Sequence, residues 1–158
     1  VKLVEAVEVV LRSVKEAEKN GRFGGQSVVL MDSVVAHQPP LAELVAALRA
    51  TERFRPYLIV YDTSQPDAVW TAALADALRI VPVSITHVVV AGQDSNGRLA
   101  AGVVHEIVKP TPEITPIGTE LTVLKLLQTL GVPDKTATSV DKMLAARLEL
   151  GEALGTGT

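Results

Sequence analysis

The sequence predicts an α/β fold: a mixed, largely parallel sheet of about four strands with a β-hairpin edge, flanking helices, and a C-terminal helical pair. Three observations carry this reading. Two continuous apolar runs of strand length, Ser27–Met31 and Tyr57–Tyr61, each lie between segments with helical spacing. That rhythm of strand and helix implies parallel pairing with right-handed crossovers. A proline-rich strap, 109–118, then separates an α/β body (1–108) from a helical tail (119–154).

The first helix is read from Leu3, Val7, Val10, Leu11 and Val14, with Glu5, Glu8, Arg12, Lys15 and Glu16 on the remaining face. Asn20-Gly21 closes it and Gly24-Gly25 forms a hinge. Ser27-Val28-Val29-Leu30-Met31 has no polar alternation, as suits a strand covered on both faces. Val34 to Pro40 reads as a loop, with Pro40 in the first turn of a helix that buries Leu41, Leu44, Val45 and Leu48. Tyr57-Leu58-Ile59-Val60-Tyr61 is the second buried strand. Asp62 to Asp67 then turns into a helix with Val69, Ala73, Leu74 and Leu78 inward.

Beyond Val81 the pattern changes. Ile85 to Val90 is strand-like, and Asp94-Ser95-Asn96-Gly97 predicts a hairpin turn, because Asn-Gly accepts positive φ. Leu99 to Val108 is then the returning strand. A helix over Arg98 to Lys109 competes with it, since Leu99, Val103 and Ile107 also share a helix face. In the strap, Pro110, Pro112 and Pro116 exclude a helix or a place inside a sheet, so it runs extended. At about 3.1 Å per residue it reaches roughly 30 Å, which frees the tail to pack on this body or on a second copy.

In the tail, Leu121, Leu124 and Leu127 form one stripe and Val123, Leu126 and Leu130 another, stopped by Gly131 and Pro133. Thr138 or Ser139 caps a last helix carrying Val140, Met143, Leu144 and Leu148. The interface expected of such a tail is Leu121, Leu124, Leu127, Leu130, Met143, Leu144 and Leu148.

Composition narrows the function classes. The 158 residues are 47% hydrophobic but only 3% aromatic, so the core is built of Val, Leu, Ile and Ala. Net charge is −3 and the basic residues are dispersed, which argues against a nucleic-acid partner. No apolar run reaches the length of about 18 residues that a membrane span needs, so no membrane partner is expected and a soluble, cytoplasmic protein is. There is no cysteine, so disulfides and thiolate chemistry are excluded.

Candidate sites come from strand ends. Asp32 and Asp62 each follow a buried strand, and in open α/β sheets ligands settle outside the carboxyl ends of strands. Asp32, Ser33, His37, Asp62, Thr63 and Ser64 are the ligand-binding candidates for a phosphate, a metal or a sugar hydroxyl. The alternative is that these residues only shape turns and cap helices. His87 and His105 would lie near one another in the expected hairpin but lack a third ligand, so neither a metal site nor a cofactor is predicted. His37 has no nucleophile to serve as base, and no phosphate-cradling glycine loop occurs.

Two functions are therefore expected to compete. One is a non-catalytic assembly or protein-interaction protein that forms a homo-oligomer by exchanging its C-terminal helices, with itself or another protein as partner. The other is a small-molecule or phosphate-binding α/β domain, an enzyme among its forms, with its site at the carboxyl ends of the strands.

Overall fold

A computed structural model describes residues 3–19, 27–39, 41–52, 54–81, 84–92 and 94–156. The elements run α1 (Leu3–Lys19), β1 (Ser27–Asp32), α2 (Ser33–Ala36), α3 (Leu41–Arg49), β2 (Leu58–Tyr61), α4 (Asp67–Arg79), β3 (His87–Ala91), α5 (Asp94–Ile107), β4 (Glu113–Pro116), α6 (Val123–Thr129) and α7 (Asp134–Thr156). Asn20-Gly21, Gly24-Gly25 and Pro40 lie outside the described residues.

The α/β class is as expected, and the sheet is wholly parallel in the order β2-β1-β3-β4. The connection from β1 runs outward to β2, and the next returns past β1 to β3. Right-handed crossovers therefore put α3 on one face and α4 and α5 on the other. α4 and α5 pack together, while α1, α6 and α7 complete the α3 side. The core is aliphatic, with Val28 to Met31 of β1 fully buried at its centre.

The expected hairpin is absent. Asp94-Ser95-Asn96-Gly97 opens α5 instead, and Leu99 to Ile107 is helical. Ala100 and Val104 are its buried stripe, and Gly102 sits on its exposed side. A parallel β3–β4 pair requires a crossover between them, and α5 is that crossover. His87 and His105 are thereby separated: His87 shares a 2.9 Å hydrogen bond with Thr115 Oγ1, and His105 is exposed on α5.

The proline strap is extended but not unpaired. Glu113 N donates to Thr86 O at 3.0 Å and Ile117 N to Val90 O at 2.9 Å, so the odd-numbered residues face β3. Pro112 and Pro116 then turn their missing N–H positions outward, which an edge strand tolerates and a central one does not. In α4 the buried residues are Trp70, Leu74 and Leu78, whereas Val69 and Ala73 face outward, contrary to expectation. The large indole takes the inward position, with its Nε1 donating to Asp67 at 3.1 Å. The segment after Asp32 makes one helical turn, α2, before the loop, and α7 begins at Asp134 rather than at Thr138 or Ser139.

The tail packs on its own chain. Thr122 caps α6 by accepting from Lys125 N at 3.1 Å. Leu121, Val123, Leu126, Leu127, Leu130, Val140 and Leu144 are buried against β1 and between α6 and α7. Leu124 and Met143 are half-buried, and the Leu148 side chain lies outside the described ones. These stripes are covered within one chain, which removes the argument for exchanging them.

Candidate functional site

The strand order reverses between β1 and β3, and the carboxyl end of β1 at this point is Asp32. Asp32 is 0% exposed, the only buried polar or charged residue among the described ones. Oδ1 accepts from Val34 N at 3.0 Å, capping α2, and from Thr63 Oγ1 at 2.8 Å. Oδ2 is buried and has no hydrogen-bond partner. A buried polar atom left unpaired is costly, so this arrangement calls for an explanation.

Ser33 and Thr63 complete the link between the two strand ends. Thr63 N donates to Ser33 Oγ at 3.3 Å, and the two hydroxyls are 3.4 Å apart. Thr63 gives its proton to Asp32, so Ser33 is the donor in the second contact. These two hydroxyls are half-buried at the site's rim.

Two further groups were not among the candidates read from sequence. Tyr61 is paired in register with Asp32, so both side chains point to the α4 face. Its ring stacks on Trp70, with centroids 4.9 Å apart. Its hydroxyl is buried without a partner and reaches over Gly92 at the end of β3. A Cβ on Gly92 would collide with that hydroxyl and come within 3.3 Å of Asp32 Cβ. Burial, and secondarily the charge of Asp32, push the Tyr61 pKa well above its ordinary value. Tyr61 therefore remains a donor at neutral pH, beside an acceptor that also lacks a partner. Gly92 additionally joins a shallow depression of about 480 Å³ lined by Asp94, Ile117, Gly118, Thr119 and Glu120.

The remaining candidates fall outside this cluster. Asp62 accepts from Ser64 Oγ at 2.6 Å and from Ser64 N at 3.0 Å, forming a local turn. These bonds, first the side-chain and then the backbone one, hold its pKa below the ordinary value, with His37 a minor contributor. Asp62 lines a groove beside β2 rather than the Asp32 cluster. His37 Nδ1 lies 2.6 Å from the Ser33 carbonyl and donates to it, on an exposed ring. Among the described residues, no group of three or more His, Asp or Glu side chains is placed to hold a metal ion. No described helix is long and apolar enough to cross a membrane.

Comparison with protein-family models, with curated proteins and with solved structures finds no match.

Proposed function

We propose that this chain is a binding domain for a small molecule rich in hydrogen-bond donors, a polyol or an amine, held at the carboxyl ends of β1 and β3. The observation that carries the reading is the unpartnered Asp32 Oδ2 beside the unpartnered Tyr61 hydroxyl at the strand-order reversal. Open α/β sheets bind ligands at this position. One hydroxyl or ammonium group could donate to Asp32, and a hydroxyl could also accept from Tyr61. Asp94 and Glu120 along the adjoining depression favour the same ligand class over a phosphate.

The test is amide chemical-shift mapping with a panel of sugars, nucleosides and polyamines. Saturable shifts at Asp32, Thr63 and Gly92, lost in Asp32→Asn, are expected. Shifts confined to other surfaces, or none across the panel, would contradict the reading.

A second reading, a non-catalytic assembly protein, draws its support from the open edge of the sheet at β2 rather than from the C-terminal helices.

A further inference from the structure

We infer that the outer edge of β2 and the outward stripe of α4 form the interface of a homodimer. The two edges of this sheet differ. Along the outer side of β4, Pro116 and Pro112 just before the strand remove outward donors, which blunts that edge against pairing. On β2, the residues Leu58–Tyr61 include neither proline nor charge, and alternate residues of a parallel edge strand turn their N–H and C=O groups outward.

Beside β2 runs a groove of about 530 Å³, floored by Ile59, Tyr61, Trp70 and Leu74. Its outer wall is the α4 row Val69, Ala73, Ala77 and Ile80, which shares one helix face. Val69 is 51% exposed and Ile80 is 73% exposed, two of four large hydrophobic residues so exposed among those described. Edge and stripe are contiguous, so a single partner can cover both.

Charge identifies the occupant as a second copy. Arg49 and Arg55 stand at the start of β2, joined by a 3.1 Å hydrogen bond from Arg55 Nε to the Arg49 carbonyl. Arg49 Nε is buried without a partner, and burial followed by the Arg55 charge lowers the Arg49 pKa. This end is net positive even with Glu52 on the same rim. The other end carries exposed Asp62, whose pKa is lowered chiefly by its Ser64 hydrogen bond. A two-fold axis normal to the sheet at Val60 runs two β2 edges antiparallel. Ile59 then faces the partner subunit's Tyr61, and each arginine end meets the opposite Asp62 end. Such an isologous pairing also sets the two α4 stripes side by side.

Sedimentation equilibrium tests this directly. The wild-type chain should show twice its 16.7 kDa monomer mass. Ile80→Glu and Val69→Glu, at exposed positions, should each weaken association roughly tenfold or more with an unchanged circular dichroism spectrum. Arg55→Asp should weaken it too, and adding Asp62→Arg should restore it. A monomer up to roughly 0.1 mM, where even weak interfaces form, would overturn the inference. So would a dimer indifferent to both glutamates, or failure of the charge exchange to restore pairing.

Discussion

Thr63 donates its hydroxyl proton to Asp32 at 2.8 Å, tying the loop after β2 to the end of β1. Thr63→Val should therefore destabilise the fold by about 1–2 kcal/mol, the cost of leaving a buried acceptor short of a donor. Thr63→Ser should recover most of that loss. Urea denaturation of the two variants checks both values.

Gly92 is required by a neighbour rather than by its own backbone. Gly92→Ala should cost about 1–3 kcal/mol, because the new methyl meets the Tyr61 hydroxyl. Tyr61→Phe deletes that hydroxyl, so the double variant should be more stable than the two single effects sum to. A double-mutant cycle in denaturant measures this coupling, and additive effects would place Tyr61 elsewhere.

Tyr61 also predicts an alkaline limit. Its folded-state pKa lies above the ordinary 10.0, so the folded chain retains a proton that the unfolded chain releases. The associated stability is fully present below pH 10 and is lost as pH rises beyond it, with a slope of at most about 1.4 kcal/mol per pH unit. Tyr61→Phe should flatten this decline while leaving stability at pH 7 unchanged or slightly higher. Stability curves for both proteins across the alkaline range test the sign.

The C-terminal helices belong to the same core as β1. Leu127 is 0% exposed, so Leu127→Ala should cost about 2–5 kcal/mol. The whole chain should still unfold in one transition. A separate early unfolding of α6 and α7 would show that they are only loosely docked.

Much of this architecture was legible where one physical signal dominated. β1 and β2 are apolar runs with no competing pattern, and Asp32 stands out because a carboxylate directly follows one of them. α5 was hidden by Asn96-Gly97, whose local preference for a turn yielded to the parallel pairing of β3 with β4. β4 was hidden because prolines read as breakers, although Pro116 and the preceding Pro112 share the parity that turns away from β3. In α4 two apolar stripes overlap, and only the size of Trp70 decides which turns inward. Tyr61 and Gly92 gave no local signal at all. A tyrosine in a buried strand reads as core, and its reach across β1 to β3 depends on a strand order that spacing does not reveal.

That Asp32 is retained for a ligand at the expense of stability is tested most directly by denaturation of Asp32→Asn without ligand. Asparagine keeps an oxygen for Val34 and Thr63 and removes the buried charge whose second oxygen has no partner. The variant should be more stable than wild type by about 1 kcal/mol or more. A loss of similar size would mean that the carboxylate is already fully partnered within the fold, and would contradict the binding site proposed for it.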